Sequence, residues 1–87
     1  MRPQDLLLSQ YEAIRNLPLC KFVIAKIENA NAQFYIGTVI ELEQYILKNP
    51  LPMSEVYALV RYLKHLGYTA TYNYDSYQLE VEWNYFV

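Results

Sequence analysis

Residues 54–83 read SEVYALVRYLKHLGYTATYNYDSYQLEVEW, and a change of period inside this stretch decides the fold. Up to Leu66 the apolar residues Val56, Leu59, Val60, Leu63 and Leu66 recur at helical spacing, with Glu55, Arg61, Lys64 and His65 off that face. Ser54 suits an N-cap and Glu55 the first turn. Gly67 stands where a left-handed helix stop belongs, and Tyr68 can fold back on Leu63. From Tyr68 onward the period is two. Tyr68, Ala70, Tyr72 and Tyr74 share one face of a first strand; Tyr77, Leu79, Val81 and Trp83 share one face of a second. A two-residue turn at Asp75-Ser76 pairs 74 with 77, 72 with 79, 70 with 81 and 68 with 83. Thr69, Thr71 and Asn73 then meet Gln78, Glu80 and Glu82. A four-residue loop keeps the same parity, whereas a one-residue slip destroys it. An isolated hairpin is marginal, so its apolar face must pack on helices.

Working toward the N-terminus, Pro50 and Pro52 break the chain into a short linker. Thr38-x-x-Glu41 has the form of a capping box that opens a short helix through Leu42, Tyr45 and Ile46 to Asn49. Phe34 to Ile40 has strand composition. Residues 19–34 fit two patterns. Val23, Ile27, Ala30 and Phe34 make a helical stripe, while Lys21–Ile27 is also rich in β-branched and aromatic residues and could turn through Asn29-Ala30-Asn31. The stripe and the alanines favour the helix. Before it, Leu7, Leu8, Tyr11, Ile14 and Leu17 follow helical spacing, with Pro3 in the first turn, Asp5 beside it and Pro18 as the stop.

The expected architecture is a single α+β domain spanning 1–87. Helices fall at about 3–16, 20–32 and 54–66, a short strand near 34–40, and the hairpin closes the sheet. Eighty-seven residues suffice for one core, and 54% apolar against 18% charged residues excludes a disordered tail. A net charge of −2 without any run of Lys or Arg argues against affinity drawn from many phosphate contacts. The single Cys20 cannot form an internal disulfide, so a reducing, cytoplasmic setting is expected. No segment resembles a signal peptide, and none approaches the roughly 18–20 apolar residues that span a bilayer.

Motifs for chemistry are absent: no glycine-rich phosphate loop, GxSxG or HExxH occurs. His65 and Cys20 are each alone of their kind, so neither a metal site nor a cofactor is expected. His65 suits the end of its helix, where it complements the dipole. Glu80 and Glu82 lie about 6.5–7 Å apart by strand rise, a separation that glycosidase carboxylates also use. Alternating glutamates are equally what a solvated strand face needs, and Glu41 and Glu43 fall under the same description. A non-enzymatic protein is expected.

Two surfaces suggest binding. Tyr57, Arg61, Tyr62 and Lys64, with His65, form a basic and aromatic strip on the last helix. A helix followed by a hairpin is also how a winged helix ends, but the acidic hairpin opposes nucleic acid. The tail Asn84-Tyr85-Phe86-Val87 is too apolar to hang in water and packs either on its own domain or on another chain. A protein partner or self-association is therefore favoured. The alternatives are nucleic-acid binding through Arg61 and Lys64, or a small-molecule pocket lined by tyrosines between subunits.

The ending helix–LKHLGY–TATYNYDSY–LEVEW, from Ser54 to Trp83, resembles that of small proteins encoded by tailed phages and prophages. In those proteins a helix, a Leu-Gly-Tyr stop and a hairpin ending in tryptophan close the chain. The typical strand end there is Ile-Ser-Trp, where this chain has Val81-Glu82-Trp83. No functional residue carries over. The resemblance implies a phage-type protein that acts by binding, as a modulator of a host factor or a small particle component. Deleting Tyr85–Val87 is expected to reduce assembly size or partner binding, read by sedimentation velocity, while leaving the melting curve in place.

Overall fold

Prolines set three of the helix starts. The computed structural model describes residues 2–83. Pro3 and Pro18 open helices α1 (Pro3–Arg15) and α2 (Pro18–Ala32) at positions where a missing N–H costs nothing. Pro52 precedes α4 (Met53–His65) as its N-cap residue, and its carbonyl accepts from Glu55 N at 3.0 Å. Ser54 therefore lies inside the first turn rather than capping it. Pro18 likewise starts a helix where the sequence pattern suggested only a stop. Between these lie strand β1 (Gly37–Glu41) and the short helix α3 (Glu43–Lys48); β2 (Thr69–Asn73) and β3 (Gln78–Glu82) follow α4.

Residues 18–32 are helical, with Leu19, Cys20, Val23, Ile27 and Ala30 buried. The stripe expected from the sequence stops at Ala30, because Phe34 lies beyond the helix end. Thr38 and Glu41 belong to β1 and form no capping box. α3 begins after Leu42 with no side-chain cap. The ladder explains this: Leu42 N donates to Tyr77 O at 2.8 Å, which extends β1–β3 pairing to the point where the capping box would have to close.

The α4 stop follows the sequence closely. Gly67 has φ 104, Gly67 N donates to Lys64 O at 3.1 Å and Tyr68 N to Leu63 O at 3.0 Å, the paired bonds of a Schellman closure. The hairpin keeps the expected register, Ala70↔Val81 and Tyr72↔Leu79, with Thr69, Thr71 and Asn73 opposite Glu82, Glu80 and Gln78. Its loop is longer than two residues. Asn73 Oδ1 accepts from Asp75 N at 3.0 Å and Ser76 N at 3.4 Å, and Tyr77 takes φ 55. Tyr74 and Tyr77 consequently leave the packing face on which alternation alone would put them, and both are exposed.

The sheet is antiparallel in the order β1-β3-β2, so the last strand is the central one. One face carries Ile40, Leu79, Val81 and Ala70, all buried against the helices; α2 covers β1 and α4 covers β2. Leu19, Val23, Leu42, Val56, Leu59 and Leu63 are the other large side chains buried most deeply in the core, each worth about 1.5–3 kcal/mol relative to exposure. Helices lie on that face only, and the short dimension of 21 Å matches two layers. Gly67→Ala is expected to cost about 1 kcal/mol and to lower Tm by about 4–8 °C, because alanine resists a positive φ; thermal and urea unfolding check it.

Candidate functional site

The end of α2 repeats the α4 closure with the wrong residue. Phe34 N donates to Asn31 O at 2.9 Å and Tyr35 N to Ala30 O at 3.1 Å. These are the bonds of the Gly67 stop, yet the left-handed position here holds Phe34 at φ 67. A side chain bearing a Cβ costs about 1–2 kcal/mol there. The ring recovers none of it inside the chain, being 94% exposed. Tyr35 and Ile36 follow at 59% and 60% exposure, and Val39 on β1 at 53%. Four apolar side chains thus lie in solvent between positions 34 and 39.

They border a strand edge that pairs with no other described residue. Trp83 N donates to Ile36 O at 2.9 Å and Leu42 N to Tyr77 O, so residues 36, 38, 40 and 42 turn their backbone groups to β3. By alternation Gly37, Val39 and Glu41 turn theirs outward, where no other described residue meets them. The side chains of Val39 and Glu41, and the bare Cα of Gly37, lie on the face of the sheet that no helix covers. That face also carries Glu80, Glu82 and Gln78 from β3 and Thr69, Thr71 and Asn73 from β2. Its charged residues are the carboxylates of Glu41, Glu80 and Glu82, with no cation among the described strand residues. Gln78 Nε2 donates to Glu41 Oε1 at 2.7 Å, fixing one of them. At the opposite end Trp83 Nε1 donates to Asn31 Oδ1 at 3.2 Å, and its ring stands edge-on to Tyr68. The end of β3 is thereby tied to α2 beside the Phe34 turn.

The residues singled out from sequence separate. Tyr57, Arg61 and Lys64 are exposed on α4, with Tyr57 close enough to Tyr72 of β2 to act on its hydroxyl. Tyr62 does not join them. It is 8% exposed and its ring lies 5.6 Å from Tyr11, so it belongs to the core. The helical stripe of α4 curves far enough to include it once α1 supplies a facing aromatic. His65 stacks on Tyr11 at 4.4 Å. Tyr85, Phe86 and Val87 lie outside the described residues. Leu7 and Leu8, which follow the helical spacing of α1, are exposed together with Leu6; only Ile14 of α1 is buried. The Phe34–Val39 segment is hidden from sequence reasoning because its apolar residues have the composition of an ordinary strand. The one signal available is the absence of a glycine at the end of the α2 stripe.

On the helix side a groove of about 390 Å³ is lined by Arg15, Cys20, Lys21, Ile24, Ala25, Glu28 and Tyr62. Burial pushes the Cys20 thiol up, away from the nucleophilic thiolate. Among the described residues no group of three or more His, Cys, Asp or Glu could hold a metal ion, and no helix is long and apolar enough to cross a membrane. Glu80 and Glu82 face solvent on the bare side of the sheet, flanked by Val39, Thr71, Gly37 and Thr69. No protein-family model matches the chain, and neither does any curated protein or solved structure.

Tyr72 is the one polar side chain whose buried atom lacks a hydrogen bond among the described residues. Burial, then neighbouring Tyr77 and Tyr57, raises its hydroxyl pKa. Tyr72→Phe is expected to stabilise the fold by about 1 kcal/mol, since it removes an unsatisfied hydroxyl without changing the ring. The raised pKa means the folded state holds the proton more tightly than the unfolded chain. Stability is therefore full below the ordinary phenol pKa and falls as pH rises above roughly 10. Urea unfolding across alkaline pH should show a shallower decline in Tyr72→Phe.

Proposed function

We propose that this chain is a non-enzymatic protein-binding module whose contact surface is the Phe34–Val39 segment at the edge of β1. The observation that carries the reading is Phe34: a strained backbone holding a bare phenyl ring in water. Strain persists where the surroundings impose it, and it clusters at ligand clamps. A glycine would close α2 at lower energy. The phenyl therefore serves a contact that the described residues do not supply. Tyr35, Ile36 and Val39 extend the apolar area, and the free backbone groups of β1 add direction. Tyr57, Arg61 and Lys64 form a second, weaker candidate surface on the opposite layer.

Self-association belongs to the same proposal. Leu6, Leu7 and Leu8 lie exposed on consecutive positions of α1, an apolar patch that a second copy would remove from water. With Cys20 buried and unpaired, the reducing cytoplasm is the natural setting. Within the phage resemblance, the role is that of a modulator gripping a host protein.

The test is a double variant, Phe34→Gly with Ile36→Ser, compared with the wild-type chain as bait. The variant should unfold at the same temperature or higher, because a glycine at the end of α2 relieves the strain of the positive φ. It should nevertheless lose the protein that the wild type retains. Equal capture by both baits overturns the assignment of the surface. Sedimentation velocity of Leu7→Glu with Leu8→Glu addresses self-association, and an unchanged sedimentation coefficient removes it.

A further inference from the structure

Resting on the protein-binding reading, we infer that the β1 edge accepts a specific class of partner: an extended segment that adds as a fourth strand and carries basic residues four apart, with an apolar residue midway between them. Such a strand would lie opposite Gly37, Val39 and Glu41, whose outward N–H and C=O groups supply the ladder. The three positions present different chemistry. Val39, half in solvent, offers an apolar contact at the centre. Glu41 at one end holds its carboxylate in place through Gln78.

Gly37 at the other end has no side chain, and the space is occupied from behind. A Cβ built there would stand 3.0 Å from Glu82 Cγ, so the Glu82 side chain leans across Gly37 toward the open edge. The edge thus reads acid, apolar, acid at alternate positions on one face. A lysine or arginine opposite Gly37 crosses two strand spacings, about 9.6 Å, to a carboxylate that leans to meet it. No cation among the described strand residues lies on that face to compete. The identity of the glycine therefore matters: a side chain at 37 would screen Glu82 from the edge.

A second copy fits poorly in the same place. A two-fold axis through Val39 would set Glu41 of each copy against the gap at Gly37 of the other, which Glu82 fills. Like charges would then meet at both ends of the new ladder, a destabilising cross-strand arrangement. Charge complementarity favours a basic strand from a different protein.

Two blocked peptides test this, acetyl-STKTVTKTS-amide and the same sequence with Glu for both Lys, titrated into the ¹⁵N-labelled full chain. The lysine peptide should shift the amide signals of Gly37, Val39 and Glu41, with binding that weakens as salt rises. The glutamate peptide should bind at least about fivefold more weakly, and Glu41→Gln or Glu82→Gln should each weaken the lysine peptide about two- to fivefold. Val39→Pro removes one outward N–H but none used toward β3, and should abolish the shifts without lowering the melting temperature. No shift at β1 with millimolar lysine peptide, or equal binding of both peptides, overturns the inference. In either case, continued loss of the captured protein by the Phe34→Gly, Ile36→Ser bait leaves the protein-binding reading standing with its site confined to the apolar turn. Equal capture as well overturns the assignment of the Phe34–Val39 surface.

Discussion

Strand β3 is hydrogen-bonded on both sides but covered on one, and the rest of the structure depends on that asymmetry. Leu79 and Val81 point into the helix layer and are fully buried, while Gln78, Glu80 and Glu82 point the other way. Because β3 pairs with both β1 and β2, its inward residues sit at the middle of the core, where α2 and α4 close over them from either side. A one-residue slip of β3 would put three polar residues there, two of them glutamates, a replacement no other contact could offset. The bare outer face is the necessary counterpart. An antiparallel sheet can leave one side to water, and here that side is an acidic surface ending in an edge unpaired among the described residues.

The two Schellman closures differ in whether residue and geometry agree. At Gly67 the residue and the geometry agree, and Tyr68 turns back to meet Trp83 across the hairpin. At Phe34 the backbone follows the same path, with the same pair of hydrogen bonds, against the preference of its side chain. Trp83 helps to hold that second turn in place through Ile36 O and Asn31 Oδ1. The surroundings impose the conformation and leave the phenyl ring outside. Where local preference and global fold disagree, a functional demand is the usual reason.

Much of the architecture was legible because its signals are local and redundant. In α4, spacing, the early glutamate and Gly67 all point to one helix. In the hairpin, alternating residues on both strands admit one parity, so the register was readable even though the loop is longer than the two-residue turn. Residues 19–34 were harder, since a helix stripe and a β-rich run overlap there; the stripe and the alanines leaned to the helix, and the burial of Val23, Ile27 and Ala30 on one helical face decides it. The exposed apolar segment was hardest. Exposure of Phe34, Tyr35, Ile36 and Val39 depends on what fails to cover them, which no spacing expresses. Tyr62 shows the converse: its place on a helix was clear, but its burial required Tyr11 from a helix far earlier in the chain.

The sequence by itself determined the first and last helices, the hairpin register and the α4 stop, because periodicity and glycine at a left-handed position act within a few residues of their cause. Tertiary structure alone decided that β3 lies between β1 and β2, that Thr38 and Glu41 serve a ladder rather than a cap, and that Phe34 ends in solvent. Those outcomes follow from pairing between strands far apart in the chain. There the free energy of covering one apolar surface is weighed against every other surface available, and no local pattern records which one was chosen.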